Sequence, residues 1–181
     1  MANLILLVGP SGSGKSTLAN HLAKQGYKKL VTTTTRNPRA GEENGKDYYF
    51  TSKEAFLNQR LIEHTKYAGN FYGLTQEEVE NKLIHKGQDC FVIMDKQGVK
   101  AMRRHNQGKD YNLVVVGVKA PKKDLVKRLQ ERKKANSSRL NLLKEELKVA
   151  EELADYTLIN KQGCLEYSKE QLNSVLREEA N

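Results

Sequence analysis

Short apolar runs alternate with amphipathic stretches along most of the chain. Three runs are apolar almost throughout, as in strands that are covered on both faces of a sheet: residues 4–8, 90–94 and 112–118. Apolar residues at helical spacing follow these runs, within residues 15–25, 97–105 and 122–132. A further strand is predicted at residues 156–159 and a last helix at 168–179. The alternation predicts an α/β fold with a doubly wound parallel sheet of about five strands.

Residues 36–86 do not follow this alternation and are polar, with many Gly, Asn, Tyr and Arg residues. Short strands are predicted nearby and within this segment, at residues 29–33, 47–51 and 61–67. A helix is predicted over residues 75–86, with Thr75 as N-cap and Glu78 three residues later, as in a capping box. We therefore expect this segment to be an insertion on the main α/β domain.

The amino-acid composition of the chain excludes several classes of protein. The 181 residues suit one domain, and 38% apolar with 29% charged residues is typical of a globular protein. No run approaches the roughly 18 apolar residues that a membrane span needs, and the first apolar run lacks the basic flank of a signal peptide. Two distant cysteines predict neither a disulfide framework nor a zinc site, which favours the cytoplasm. The net charge of +9 favours polyanionic ligands without choosing among them.

A glycine-rich sequence stands between the first strand and the first helix. It reads Gly9-Pro10-Ser11-Gly12-Ser13-Gly14-Lys15-Ser16 and fits G-x-x-x-x-G-K-[ST] at every position. Glycines let several backbone amides converge on one anion, and the helix N-terminus adds donors and a positive dipole end. We predict that these residues and Thr17 bind ATP, with Lys15 at the β- and γ-phosphates and Ser16 on Mg²⁺. The alternative is a turn with a purely structural role.

A second unusual stretch, residues 32–48, contains Arg36, Arg39 and Tyr48. Guanidinium groups bind phosphate bidentately, so this pattern indicates a phosphate clamp. The residues alone leave open a charged surface loop with a turn at Asn44-Gly45.

Together with the glycine-rich turn, this stretch resembles the guanylate kinase family. Residues 34–48 are similar to the family's T-T-R-x-P-R-x-G-E-x-N-G-x-D-Y. Two further matches are Ile62-Glu63 with Gly69-Asn70-Phe71-Tyr72-Gly73, and Asp95-Lys96-Gln97-Gly98-Val99. The resemblance implies a P-loop NTPase-type fold in one domain, residues 1–181. Its expected parts are a core (1–35, 87–131 and 140–181), an acceptor-binding segment (36–86) and a lid (132–139).

The family resemblance implies Mg²⁺-dependent transfer of phosphate from ATP to GMP, and to dGMP. The residues that it places on the acceptor phosphate are Arg36, Arg39, Tyr48 and Tyr72. Glu63 would accept hydrogen bonds from the guanine edge, and Thr32 would donate one to the guanine oxygen. A carboxylate in this position prefers guanine, because adenine sets its N1 acceptor against it.

The same resemblance implies a catalytic set that includes residues outside the phosphate clamp. Asp95 would lie by the ribose or the metal-bound water. Arg132 and Arg139 would be lid arginines that reach the ATP phosphates. With Lys15 and Arg36, these residues complete the implied catalytic group.

The chain departs from the family pattern at three places. Ile93 replaces the first aspartate of D-x-D, and Leu74 stands where a serine after Tyr-Gly is usual. The segment from Arg132 to Arg139 is short and carries Lys133 and Lys134. We expect these changes to affect base choice and rate more than reaction class.

Three alternatives remain open on sequence grounds. A related kinase would act on another nucleotide or on a ribose phosphate. A non-catalytic guanylate-kinase-like module would bind phosphorylated peptides, usually with a degraded P-loop. A nucleic-acid-binding protein would have salt-sensitive affinity for duplex DNA, but only the net charge favours it. The expected partners are therefore ATP and GMP, without nucleic acid or membrane, and the chain is expected to be a monomer or a homodimer.

Overall fold

The computed structural model describes residues 1–67, 69–131, 147–148 and 150–179. Five parallel strands form the larger sheet, which confirms the predicted fold class. Their order across the sheet is β2 (Lys28–Lys29), β7 (Cys90–Ile93), β1 (Ala2–Val8), β8 (Tyr111–Lys119) and β9 (Tyr156–Ile159). The central strand, β1, aligns Leu4 with Cys90 on one side and with Leu113 on the other.

Helices cover both faces of this sheet. One face is closed by α1 (Lys15–Lys24) and α6 (Leu165–Glu179), which bury Leu18, Leu22 and Leu172 against the alternate side chains of β1 and β8. The other face is closed mainly by α4 (Lys96–His105), whose Val99 and Met102 are fully buried. A further helix, α5 (Lys122–Glu131), buries Leu125 and Leu129 beside Ala120. Because strand side chains alternate between faces, the apolar residues of β1 divide between these two cores.

A smaller sheet of four strands is not hydrogen-bonded to the larger one, although its Leu74 packs in the larger core. Its order is β4 (Tyr49–Phe50), β3 (Thr33–Thr34), β6 (Asn70–Thr75) and β5 (Leu61–Tyr67). The hairpin β5–β6 is antiparallel, whereas β3 and β4 pair in parallel. A short helix, α2 (Lys53–Leu57), begins at Ser52, whose hydroxyl accepts a hydrogen bond from the Ala55 amide. The sequence pattern did not predict α2 or β6.

The predicted strand at residues 29–33 is wrong, because the chain changes sheets within it. Lys28 and Lys29 pair with β7 of the larger sheet, whereas Thr33 and Thr34 pair with β4 and β6 of the smaller one. The smaller sheet therefore includes residues before position 36.

The predicted helix at residues 75–86 is present in two parts, α3 (Gln76–Val79) and a π-helical segment (Glu80–His85). Thr75 is its N-cap, and its hydroxyl accepts from the Glu78 amide at 3.2 Å. Val79 and Leu83 pack against the larger core. Among the residues described, none of the helices combines the length and the apolar character required to cross a bilayer.

Candidate active site

The glycine-rich turn has the backbone that an anion cradle requires. Gly9, Gly12 and Gly14 have φ values of 143°, 86° and 106°, which side chains rarely tolerate. A Cβ at Gly9 would overlap the Val118 carbonyl, and one at Gly14 would overlap the Asn160 amide. The turn leaves the carboxyl end of β1 and leads directly into α1, so its amides and the helix dipole face the same space.

Lys15 lies across this turn at the first position of α1. Its ammonium group donates to the carbonyls of Gly9, at 2.7 Å, and Pro10, at 2.9 Å. These bonds hold the positive charge over the loop. Ser16 and Thr17 follow on the exposed side of the helix, where the Ser16 hydroxyl is accessible to a metal ion.

Two residues that the sequence did not single out hold the turn from the outside. Asn160, buried just beyond β9, donates from its amide to the Ser13 carbonyl at 2.8 Å. Arg128 of α5 donates to the Gly12 carbonyl at 3.0 Å and to the Asn160 carbonyl at 3.3 Å. The position of Asn160 after a parallel strand was a usable signal, because ligands bind at that edge of the sheet.

The structure brings Arg36, Tyr48 and Tyr72 together on the smaller sheet. The Arg36 guanidinium lies 5.4 Å from the Tyr48 ring centroid, and the Tyr48 and Tyr72 rings meet edge to face at 5.9 Å. Burial, and secondarily Tyr72, raises the pKa of Tyr48, so the Tyr48 phenol remains a hydrogen-bond donor at neutral pH. This is a cationic, donor-rich surface suited to a phosphate dianion.

Glu42, which the sequence pattern did not single out as a site residue, holds this cluster in place. Both of its carboxylate oxygens accept from Arg36 Nη2 at 2.9 Å, and one also accepts from the Arg39 amide at 2.8 Å. The Arg39 amide and then the Arg36 guanidinium hold the pKa of Glu42 below its usual range. Arg39 itself is exposed beside this pair. The family segment contains Glu42, so its position in the motif was a signal that could have been used.

Glu63 and Asp95 form the other end of the site. Glu63 is partly buried in β5, where a register shift between Leu61 and Glu63 alters the pairing with β6. Burial, and secondarily the nearby charge of Asp95, raises the pKa of Glu63 to about 7. Asp95 caps α4 by accepting from the Gly98 amide at 2.9 Å, and α4 packs against β5. The carboxylate of Glu63 in β5 and that of Asp95 at the N-terminus of α4 are therefore near enough to interact electrostatically.

Three further positions bear on base recognition. Thr32 is partly buried, and its carbonyl accepts from the Tyr49 amide at 2.9 Å. Leu74 is fully buried in the larger core, so it packs as an apolar residue there. Ile93 ends β7 with 40% of its surface exposed, which places an apolar side chain where a carboxylate is usual. Arg132 and Arg139 lie outside the described residues.

A comparison with models of known protein families shows the family of this chain. Residues 1–179 match the model described as guanylate kinase. The chain belongs to the guanylate kinase family.

Curated relatives extend over nearly the whole chain. A guanylate kinase of Ruegeria pomeroyi is 36% identical over 97% of this chain and 85% of its own. One from Cereibacter sphaeroides is 34% identical over 97% of this chain and 86% of its own. The crystal structure of guanylate kinase from Anaplasma phagocytophilum superposes with a TM-score of 0.71 at 30% identity, over 98% of this chain and 85% of that one.

Proposed function

We propose that this chain transfers the γ-phosphate of ATP to GMP, and also to dGMP. The main support for the proposal is that one chain contains both a complete P-loop and the Arg36–Tyr48–Tyr72 cluster. The Glu63 carboxylate lies in β5, the strand that pairs with the Tyr72 strand β6. Membership of the guanylate kinase family supports the same reaction.

The P-loop is the proposed site of the ATP phosphates. Its amides and the N-terminus of α1 neutralise phosphate charge without a covalent step. Lys15, which donates to the carbonyls of Gly9 and Pro10, would exchange these bonds for the β- and γ-phosphate oxygens. Arg128 and Asn160 hold the loop carbonyls, so the amides are already oriented when ATP arrives.

The smaller sheet is the proposed site of the acceptor. Arg36, Arg39, Tyr48 and Tyr72 would bind the 5′-phosphate, while Thr32 and Glu63 would bind the guanine edge. The acceptor phosphate is already anionic, so the reaction requires alignment and charge neutralisation more than a general base. Asp95 would contact the ribose or a metal-bound water. The lid at residues 132–139, with Arg132 and Arg139, would complete the charge neutralisation over ATP.

The residues present fit a magnesium ion. Ser16 is an exposed hydroxyl directly after Lys15, and Asp95 is an exposed carboxylate. Within the described part of the chain, no cluster of three or more metal-binding side chains occurs. Magnesium in kinases is held chiefly by phosphates and water with one or two protein oxygens, which matches this donor set. When bound, the ion supplies neutralisation of the β- and γ-phosphate charge.

A coupled assay of ADP formation tests the proposal. MgATP is offered with GMP, dGMP, AMP, CMP, UMP or ribose 1,5-bisphosphate, and Lys15→Met serves as the blank. We expect turnover on GMP of about 1–100 s⁻¹ and far weaker turnover on AMP. ATP binding without turnover on GMP would contradict the guanine assignment, and turnover on ribose 1,5-bisphosphate would identify the related kinase instead.

A further inference from the structure

Glu78 is a buried carboxylate that joins three elements. It is 5% exposed, on α3. Its Oε1 accepts from the Val31 amide at 2.8 Å and from Lys82 Nζ at 2.5 Å. Its Oε2 accepts from the Tyr49 hydroxyl at 3.2 Å. We call Glu78, Val31, Tyr49 and Lys82 the Glu78 brace.

The helix cap does not account for this carboxylate. Thr75 satisfies the Glu78 amide, and the Glu78 side chain accepts from Lys82, one helical turn later, and from the distant residues Val31 and Tyr49. A buried carboxylate is costly unless it is fully paired, and this one pairs with β4 and with the segment between β2 and β3. Lys82 extends the link by donating to the Lys29 carbonyl at 2.8 Å, on the edge strand of the larger sheet.

The two distant donors, Val31 and Tyr49, adjoin proposed acceptor contacts. Val31 precedes Thr32, and the Tyr49 amide donates to the Thr32 carbonyl at 2.9 Å. Tyr49 is the first residue of β4 and directly follows Tyr48. The Tyr49 hydroxyl contacts Glu78, whereas the ring of Tyr48 contacts Arg36, so the two neighbouring side chains join the Glu78 brace to the Arg36 cluster.

We propose that Glu78 is a positioning residue that sets the separation between Thr32 and Tyr48. The two residues lie at opposite ends of the acceptor, one at the base and one at the phosphate. A nucleotide that contacts both binds well only when their separation matches its length. The inference rests on the proposed function, because it assumes that these residues contact one nucleotide.

Two conservative variants test the brace in the full-length chain. Tyr49→Phe removes one bond to Glu78, and Glu78→Gln keeps the shape but loses the charge that faces Lys82. We expect each to raise KM for GMP about fivefold, the usual effect of one hydrogen bond, with kcat and KM for MgATP unchanged. Glu77→Gln is the matched control, because Glu77 is the exposed neighbour on the same helix, and it should leave all three constants unchanged.

A lower melting temperature with an unchanged KM for GMP would reduce Glu78 to a structural role and overturn the proposal. Failure of the wild-type chain to turn over GMP would instead contradict the proposed function. A measurement without nucleotide separates the two cases. Hydrogen exchange at the amides of residues 31–34 and 49–51 should accelerate in Tyr49→Phe but not in Glu77→Gln, and equal exchange in both would refute the brace.

Discussion

Glu63 should make acceptor binding depend on pH near neutrality. Its pKa, raised by burial and by Asp95, is about 7. In the proposed complex, only the ionised carboxylate would accept hydrogen bonds from both donors of the guanine edge, so protonation should weaken binding. Because the pKa is raised, this loss falls between pH 8 and pH 6 and not near the usual pKa of a glutamate.

The size of the effect follows from the ionised fraction. With a pKa of about 7, roughly nine-tenths of Glu63 is ionised at pH 8 and roughly one-tenth at pH 6. We therefore expect kcat/KM for GMP to fall about tenfold over this interval at saturating MgATP. Asp95→Asn should shift the midpoint to lower pH, but only partly, because burial is the larger cause.

The acceptor phosphate also titrates, near pH 6, and would contribute to the same profile. Glu63→Gln is the matched control, since it keeps the side-chain shape and leaves the phosphate titration intact. The ratio of the wild-type and Glu63→Gln profiles, measured by initial rates from pH 5.5 to 8.5, isolates Glu63. Parallel profiles between pH 6 and pH 8 would refute the reasoning.

Three further substitutions probe the two ends of the site and the core. Arg36→Lys keeps the charge but loses the planar guanidinium, whose Nη2 contacts both Glu42 oxygens while Nη1 donates to the Asn37 carbonyl. KM for GMP should therefore rise roughly 10- to 30-fold while equilibrium binding of ATP is unchanged, and an equal KM would show that only the charge matters. Asn160→Ala removes the hydrogen bond to the Ser13 carbonyl and should raise the Kd for ATP, measured by calorimetry, about fivefold. A lower melting temperature with an unchanged Kd for ATP would argue against a role at the P-loop. Leu74→Ala, at a fully buried position, should lower the free energy of unfolding by about 2–5 kcal/mol, measured by urea denaturation. A decrease under about 1 kcal/mol would mean that the core repacks to fill the space of the missing side chain.

The main sheet could be predicted because its signals are local. Leu4–Val8 is apolar over its whole length, and the glycine-rich turn that follows has its chemistry in consecutive residues. The strand predicted at residues 156–159 is present in the structure, and it too was predicted from consecutive residues. Tyr72 was added to the predicted clamp of Arg36, Arg39 and Tyr48 only through the family resemblance, since it meets Arg36 and Tyr48 through pairing between distant strands.

What the sequence by itself determined was therefore the fold class, the P-loop and the reaction class implied by the family motifs. The tertiary structure decided where the chain changes sheets, after Lys29, and which partners the polar side chains take. Glu78 fits a capping box by spacing, yet its carboxylate bonds Val31 and Tyr49, 47 and 29 residues away. Asn160 and Ser13 meet across 147 residues. The spacing of residues along the chain predicts only the contacts that neighbouring residues can make. The partners of Glu78 and Asn160 depend on which distant groups the folded core brings within hydrogen-bond range.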